Sequence, residues 1–327
     1  MNWSKKVLLI TGGTGSFGQK FAEFMLKKYK PKTIRVFSRD ELKQWEMAKK
    51  FNNNSQIRFF IGDVRERDRL ERAMDGADIV VHAAALKQVP LCEYNPFEAV
   101  KTNILGAQNV INAAIDCNVE KIIAISTDKA VNPVNLYGAT KMCMEKLFVA
   151  ANSYVGDKHR TRMSCARYGN VVGSRGSVIL LFEEQKLTGT ITVTDKKMTR
   201  FWIGLEQGVK FVIRCIEKMY GGEIFVPKIS SMRIVDVAKI MAPNCKIKYV
   251  GIRPGEKIHE CLLTEDEARH AVEYNDFFVI IPGSSLWPYE NYYEDGKKLL
   301  DGFRYTSDSN KRQLTKKELE KILKGLK

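Results

Sequence analysis

Short apolar runs alternate with amphipathic stretches through the first half of the chain. The runs are rich in β-branched residues, as buried strands are, and the stretches that follow repeat apolar residues at helical spacing. The predicted strands cover residues 7–10, 33–37, 57–61, 78–81, 121–125 and 163–167. The predicted helices end near residues 29 and 50, lie near residue 70, and cover 97–117 and 137–154. This order predicts an α/β fold, a Rossmann-type doubly wound parallel sheet covered by helices on both faces.

The rhythm changes after about residue 170, where glycine-rich turns separate shorter helices and scattered strands at 224–226, 247–250 and 277–281. We predict a dinucleotide-binding Rossmann domain over residues 1–170, to which later segments can return. Residues 171–327 are predicted to form mainly a smaller C-terminal α/β substrate-binding cap and a tail. The basic run at 311–327 carries apolar residues at helical spacing, which favours an amphipathic terminal helix over a nucleic-acid arm.

Composition narrows the class of protein. The 327 residues are 44% apolar and carry a formal net charge of +15, which indicates a globular protein with an acidic small molecule or nucleic acid as partner. The basic residues are dispersed, which favours the small molecule and predicts no nucleic acid. No apolar run is long enough for a membrane span or a secretory signal. The seven cysteines and four histidines show no ligand spacing, so we expect reduced thiols, no metal and a cytoplasmic location.

A glycine-rich turn stands between the first predicted strand and the first predicted helix. Residues 11–18 read TGGTGSFG, with glycines at 12, 15 and 18. Such a turn lets a pyrophosphate approach the backbone N–H groups at the positive end of a helix. The predicted contacts with a dinucleotide in this turn are Gly12, Thr14, Gly15, Ser16, Phe17 and Gly18.

The end of the second predicted strand bears on cofactor choice. Arg39 can pair with a ribose 2′-phosphate, whereas Asp40 is interpreted as the N-cap of the next helix, so the sequence predicts NADP over NAD. Asp63 is placed either to meet the adenine or simply to form a turn. The remaining predicted cofactor contacts are Ser38, Lys43, Val64, Ala83, Ala84, Ala85, Lys87 and Asn103.

Tyr137 and Lys141 follow the fifth predicted strand, at the edge where ligands bind such sheets. Four residues apart, they share one helix face, so the ammonium can lower the pKa of the phenol and make it a base toward a substrate hydroxyl. Thr127 is a nearby hydroxyl. Hydride transfer needs no more than these groups, so the adjacent Asp128 and Lys129 indicate additional acid–base chemistry.

The glycine turn and the Tyr-x-x-x-Lys motif together resemble the extended short-chain dehydrogenase/reductase superfamily. Longer segments are similar to the configuration-inverting UDP-N-acetylglucosamine 4,6-dehydratases: residues 82–90, 126–130, 135–141, 167–177 and 251–257. Related 4,6-dehydratases have Thr-Asp-Glu where this chain has Thr127-Asp128-Lys129. Membrane-bound retaining relatives typically have Met in place of Tyr137.

The resemblance implies a reaction and a set of roles. UDP-N-acetylglucosamine would be oxidised at C4 by bound, recycled NADP, lose water across C5 and C6, regain hydride at C6 and invert at C5. Tyr137 would be the C4 base, Lys129 the C5 base and Asp128 the acid for the C6 hydroxyl, which requires a neutral lysine and a raised aspartate pKa. The implied substrate contacts are Lys87, Lys129, Tyr137, Asn170, Ser174, Arg175, Arg200, Arg253 and Glu256.

The resemblance also implies a biological setting. Such enzymes begin pseudaminic acid synthesis for flagellin glycosylation, and they are homo-oligomers, either hexamers or dimers. Two alternatives remain open: an NADP-dependent epimerase or reductase of another nucleotide sugar, and a non-catalytic NADP-binding sensor.

Overall fold

A computed structural model describes residues 1–156, 158–174, 176–283, 293 and 295–325. Its strands are β1 (Val7–Thr11), β2 (Thr33–Ser38), β3 (Ile57–Ile61), β4 (Ile79–His82), β5 (Lys121–Thr127), β6 (Arg162–Tyr168), β7 (Asn170–Val171), β8 (Thr190–Val193), β9 (Thr199–Ile203), β10 (Ile224–Pro227), β11 (Ser230–Arg233), β12 (Lys246–Tyr249), β13 (Cys261–Leu263), β14 (Ala271–Glu273), β15 (Phe277–Ile280), β16 (Lys297–Lys298) and β17 (Tyr305–Thr306).

The α-helices are α1 (Ser16–Lys28), α2 (Glu41–Lys50), α3 (Arg67–Met74), α4 (Val89–Tyr94), α5 (Pro96–Val100), α6 (Gly106–Asp116), α7 (Leu136–Ala151), α8 (Val178–Lys186), α9 (Leu205–Lys218), α10 (Ile234–Met241), α11 (Glu265–Ala268) and α12 (Lys316–Lys324). Short 3-10 turns cover Trp3–Lys5, Asp128–Ala130 and Asn152–Tyr154, and a π-helical turn covers Lys101–Leu105. None of the helices in the described part of the chain combines the length and the apolar character that a membrane span requires.

The main sheet has the strand order β16-β14-β15-β10-β6-β5-β4-β1-β2-β3. Pairing is parallel from β3 to β10, and β15, β14 and β16 are antiparallel. The strand order reverses between β1 and β4, which opens a crevice beyond their carboxyl ends. The predicted α/β doubly wound fold is confirmed.

The sheet recruits strands from both sides of residue 170. Ile224 and Phe225 of β10 pair with Cys165 and Ala166 of β6, which would otherwise be an apolar, unpaired edge. Helix α9 also packs on the main sheet and against α1. The predicted boundary therefore marks where the chain first leaves the sheet, and several later segments return to it.

Residues after 170 form a second, smaller hydrophobic core. It is built from α8, β8, α10 and α12 together with parts of β9 and β11, with Phe182, Trp202 and Leu319 at its centre. The terminal helix predicted within 311–327 is α12, which begins after a capping box between Thr315 and Glu318.

Two helices differ from the sequence prediction. The segment predicted as one helix over 97–117 consists of α5, the π-helical turn and α6. Helix α4 was not predicted because it is only six residues long and has Pro90 in its first turn.

Candidate active site

The glycine turn joins β1 to α1 with very little space around it. Gly12 has a φ of +64°, and a Cβ there would lie 2.9 Å from the Ala84 Cα. A Cβ on Gly18 would lie only 2.5 Å from the Gly13 Cα. Gly15 is the N-cap of α1, and no side chain caps this helix end. The first turn of α1 thus keeps backbone N–H groups available for an anion.

One cavity of about 670 Å³ runs from this turn to the end of β5. It brings together most of the residues predicted for cofactor and substrate. Those on its wall are Gly12, Thr14, Gly15, Ser16, Phe17, Ser38, Arg39, Lys43, Asp63, Val64, Ala83, Ala84, Ala85, Lys87, Thr127, Lys129, Tyr137, Lys141, Asn170, Ser174, Arg253 and Glu256.

The far end of the cavity, beyond β2 and β3, is rich in charge. The Asp40 carboxylate accepts the Lys43 backbone N–H (3.0 Å) and caps α2, as predicted. Asp63 accepts both the backbone N–H and the guanidinium of Arg65, at 3.0 and 2.9 Å. The Arg39 side chain is about half exposed and lies 3.6 Å from Asp63. Among the cations that line this end of the cavity, Arg39 therefore makes the weakest contacts with other protein groups.

Several predicted contacts do not lie on the cavity wall. The Asn103 amide donates to the Leu86 carbonyl (2.8 Å) and to Thr140 Oγ1 (3.0 Å), so it braces the loop after β4 instead of facing a ligand. The Arg200 guanidinium donates to the carbonyls of Thr199, Ile258 and Lys257. Gly18 lies beneath the turn. Arg175 lies outside the described residues.

The strand β5 ends in an ion pair at the floor of the cavity. Lys129 Nζ lies 2.9 Å from Asp128 Oδ1 and 3.4 Å from Asn170 Oδ1. The Thr127 hydroxyl donates to the same Asp128 oxygen (2.9 Å). Asp128 is completely buried, and its other oxygen, Oδ2, has no hydrogen-bond partner. A buried carboxylate left partly unsatisfied can accept a proton readily.

Electrostatics raise the pKa of both members of this pair. Burial raises the pKa of Asp128, and Glu260 adds to this effect against the attraction of Lys129. Burial opposes the charge of Lys129, but Asp128 and Glu260 outweigh it and raise the pKa of this lysine. Asp128 therefore has a raised pKa, as a general acid needs. The resting Lys129 is protonated, contrary to the neutral lysine expected, because two carboxylates surround its ammonium.

Tyr137 and Lys141 share a face of α7 but do not interact as expected. Burial raises the pKa of Tyr137 to about 12, and the groups that act to lower it are Lys129 and the hydrogen-bonded Thr127. Lys141 Nζ instead lies 2.8 Å from Met144 Sδ, and burial lowers the pKa of Lys141 to about 8. The cation that assists the phenol is thus Lys129, across the cavity floor.

The chain matches the family model described as polysaccharide biosynthesis protein over residues 8–282. The chain belongs to this family. The family resemblance seen in the sequence is confirmed by a relative from Campylobacter jejuni (strain 81-176) that is 52% identical over 97% of each chain. That relative is named UDP-N-acetylglucosamine 4,6-dehydratase (inverting).

Other members of the similarity group have different names. A Rickettsia bellii (strain RML369-C) protein named UDP-glucose 4-epimerase is 43% identical over 98% of this chain and 96% of its own. The solved structure of Pen from Bacillus thuringiensis is 41% identical, with a TM-score of 0.89 over 99% of this chain and 100% of its own. This family member therefore shares its whole fold with a solved structure, and its chemistry must be argued from the site.

Sequence reasoning missed Glu260, the second carboxylate beside Lys129. It is 2% exposed and its Oε1 lies 3.6 Å from Lys129 Nζ. It precedes the short strand β13, 131 positions beyond Lys129 in the chain, and belongs to no recognisable motif. Only the folded chain brings it to the site. Among the described residues no cluster of three or more metal-ligating side chains occurs.

Proposed function

We propose that this protein is a configuration-inverting UDP-N-acetylglucosamine 4,6-dehydratase. The observation that carries the proposal is the Asp128–Lys129 ion pair: Lys129 lines the same cavity as Tyr137 and the glycine turn, and the fully buried Asp128 lies directly behind it. Oxidation and reduction at a sugar carbon need a proton-transferring phenol, and loss of water needs an additional acid and base. The name of the Campylobacter jejuni relative agrees with this chemistry.

The cavity fits a nicotinamide dinucleotide, and we propose NADP. The uncapped first turn of α1 suits a pyrophosphate, and close packing of Gly12 against Ala84 leaves the turn no room for a side chain. Asp40 is occupied by Lys43 and the α2 cap, while Arg39 offers a guanidinium for a 2′-phosphate. When bound, the dinucleotide supplies reversible hydride acceptance at C4 and return at C6.

Tyr137 is proposed to receive the C4 hydroxyl proton after it has lost its own phenolic proton to solvent, a form that is minor at neutral pH because its pKa is about 12. Its phenolate form is stabilised by the Lys129 ammonium and the Thr127 hydroxyl, both within the same cluster. Lys141 completes this end of the cavity as a buried amine whose pKa of about 8 leaves it largely protonated at neutral pH. Oxidation at C4 acidifies the C5 proton, which a side chain can then remove.

Lys129 is proposed to take the C5 proton and Asp128 to protonate the departing C6 hydroxyl. One proton transfer from Lys129 Nζ to Asp128 Oδ1 gives the neutral amine and the carboxylic acid together. The two atoms are 2.9 Å apart, which is hydrogen-bonding distance. Proton return to C5 from the opposite face gives the L-arabino product, UDP-2-acetamido-2,6-dideoxy-β-L-arabino-hex-4-ulose.

The remaining assignments extend the proposal to the whole substrate. Asn170 and Ser174 line the sugar end, and Arg253, Glu256 and Lys87 offer charges for the diphosphate and the uridine ribose. We further propose a cytoplasmic homo-oligomer, a hexamer or a dimer, that performs the first step of pseudaminic acid biosynthesis for flagellin glycosylation. Light scattering at micromolar concentration tests the assembly, and a monomer would contradict it.

The deciding experiment follows purified protein and UDP-N-acetylglucosamine in D2O by NMR, with no cofactor added. We expect a 4-keto-6-deoxy product with deuterium at C5 and inverted configuration. A product that keeps its C6 hydroxyl would favour the epimerase or reductase alternative, for which the Rickettsia bellii relative is the argument. Unchanged substrate, together with tight NADP binding, would favour a sensor.

Two variants separate the roles of the ion pair and serve as controls for each other. Lys129→Met should abolish deuterium entry at C5, whereas C4 oxidation, seen in a single turnover, should be slowed but not abolished, because Tyr137 loses only its assisting cation. Asp128→Asn should slow formation of the C6 methyl group more than it slows deuterium entry at C5, because it removes the acid directly but affects the base only by removing the acceptor of the Lys129 proton. Full C5 exchange in Lys129→Met would refute the assignment of the base.

Cofactor choice is tested by titrating NADPH and NADH against the wild type and Arg39→Met. We expect the wild type to prefer NADPH and the variant to lose about tenfold or more of that affinity, with NADH affinity unchanged. Arg58→Met, at the exposed second position of β3, is a matched surface control. A clear preference of the wild type for NADH would overturn the proposal.

A further inference from the structure

Glu260 occupies a position that the proposed chemistry does not yet use. Its backbone is fixed by a pair of hydrogen bonds with Ser307, because the Glu260 N–H donates to Ser307 Oγ (2.9 Å) and the Glu260 carbonyl accepts the Ser307 N–H (2.8 Å). Its carboxylate is buried, and Oε2 has no hydrogen-bond partner. A rigidly held, incompletely satisfied buried carboxylate acts strongly on its neighbours, since little water screens it.

Three cations surround this carboxylate. Oε1 lies 3.6 Å from both Lys129 Nζ and Arg200 Nε, and Oε2 lies 3.6 Å from Lys257 Nζ. Burial acts to raise the pKa of Glu260, but these cations outweigh it and lower the pKa. These cations therefore favour the charged form of Glu260, and Arg200, expected on sequence grounds to bind substrate, is one of them.

We infer that Glu260 is a positioning residue that sets the protonation state of the Asp128–Lys129 pair. Lys129 Nζ has Asp128 Oδ1 at 2.9 Å and Glu260 Oε1 at 3.6 Å, so it faces two carboxylates. The second negative charge retains protons on the pair, which allows Asp128 to be an acid while the ammonium of Lys129 still has a counter-ion. This role deepens the proposed function and rests on it.

Other charged groups face Lys129 and bear on its titration. Arg200 on β9 lowers the pKa of Lys129, against the two carboxylates. Tyr137 on α7 and Lys87 in the loop after β4 also lie within its field, and burial together with Lys129 lowers the pKa of Lys87. Asn170 on β7 contributes a neutral oxygen. Glu260 is thus the only carboxylate besides Asp128 that forms an ion pair with Lys129 among the described residues.

The test compares Glu260→Gln with the wild type across pH. Loss of a charge at this distance should move the limbs of the dehydration profile by about 1–3 pH units toward acid. A merely structural residue would lower the rate equally at every pH. Glu260→Asp, which keeps the charge, should keep the profile near that of the wild type. An unshifted profile in Glu260→Gln would overturn the inference.

A substrate-free measurement separates this inference from the proposed function. NMR of ¹³C-labelled lysine, with the Lys129 signal assigned from Lys129→Met, should show Lys129 titrating about 1–3 units lower in Glu260→Gln. Equal titration in both proteins would overturn the inference even if the wild type dehydrates the sugar. A shifted titration in an inactive wild type would place the failure in the proposed function alone.

A matched variant controls for folding. Glu267→Gln also removes a carboxylate, a partly buried one that pairs with Arg167 and not with Lys129. It should reduce the melting temperature without moving the pH profile. If Glu260→Gln does not fold, the titration of Lys129 in the wild type and in Glu260→Asp still decides the matter, because a midpoint below the ordinary lysine value of 10.5 in the wild type contradicts the inference.

Discussion

Protonation of His82 should destabilise the protein in mild acid. His82 ends β4 beneath the loop that lines the cavity, and it is fully buried against Phe148. Its Nδ1 lies 2.8 Å from Thr11 Oγ1. That hydroxyl oxygen also accepts the Ala84 N–H (3.3 Å), so its own proton is available to Nδ1. A proton on Nδ1 would force the Thr11 hydroxyl proton to turn away and would add a cation near Lys141.

The size of the destabilisation follows from the difference between the pKa of His82 in the folded and in the unfolded chain. Burial, with a contribution from Lys141, lowers the pKa of His82 from 6.5 to about 3. The unfolded chain therefore binds more protons than the folded chain between these values, and stability falls as pH falls below 6.5. Between about pH 7.5 and about pH 5 the free energy of unfolding should drop by about 2 kcal/mol from this group alone.

The assay compares the wild type with His82→Asn, whose amide oxygen can accept the Thr11 hydroxyl proton but cannot be protonated in this range. The melting temperature of each protein is measured at both pH values, and the loss on acidification is compared between the two proteins. The effect of carboxylates that titrate in both proteins cancels in this comparison. The wild type should lose several degrees more than the variant. His159→Asn, which removes a histidine from outside the cavity wall, is the control. Equal losses in the wild type and His82→Asn would refute the reasoning.

Two further substitutions test the packing that holds the site. Gly18→Ala should abolish dinucleotide binding in calorimetry and destabilise the fold by about 3 kcal/mol, because the new Cβ would lie 2.5 Å from Gly13. Gly15→Ala should be much milder, because the nearest atom to its new Cβ would be 3.1 Å away. Equal effects of the two substitutions would contradict this account. Glu145→Gln should lower the free energy of unfolding, measured in urea, by about 3–5 kcal/mol, because it removes the bidentate partner of the buried Arg167 guanidinium. A loss below about 1 kcal/mol would show that the ion pair is dispensable.

The sequence predicted the parts of the site that lie near strand ends in the Rossmann half. Parallel strands deliver their carboxyl ends to one edge, so Gly12, Arg39, Ala84 and Thr127 were bound to meet once the strand order was known. Gly12 also belongs to a local signal, the glycine turn, and Thr127 precedes the Tyr-x-x-x-Lys motif by ten residues. Local pattern and topology agree there, which is why these predicted residues lie together on the wall of one cavity.

The sequence was less informative where a role depends on the partner of a side chain. Arg200 reads as a free cation in the sequence, but the fold surrounds it with carbonyls and Glu260. Asn103 lies on a π-helical turn that redirects its amide to Leu86. The return of β10 to the main sheet depends equally on a distant partner. Such contacts have no local periodicity, and only the tertiary structure reveals them.

The buried charges argue for dehydration over simpler sugar chemistry. Moving a carboxylate and an ammonium out of water costs several kcal/mol for each ion, and an ion pair only partly recovers it. Asp128 is fully buried, one of its oxygens is unpaired, and Glu260 adds a second carboxylate to the same place. Oxidation and reduction at a single carbon need a proton-transferring phenol and an assisting cation but no buried carboxylates, so an epimerase would gain nothing from this cost. The proposed removal of water does gain from these buried charges, because it needs an acid and a base at adjacent carbons. Transfer of one proton across the 2.9 Å between Lys129 and Asp128 provides both.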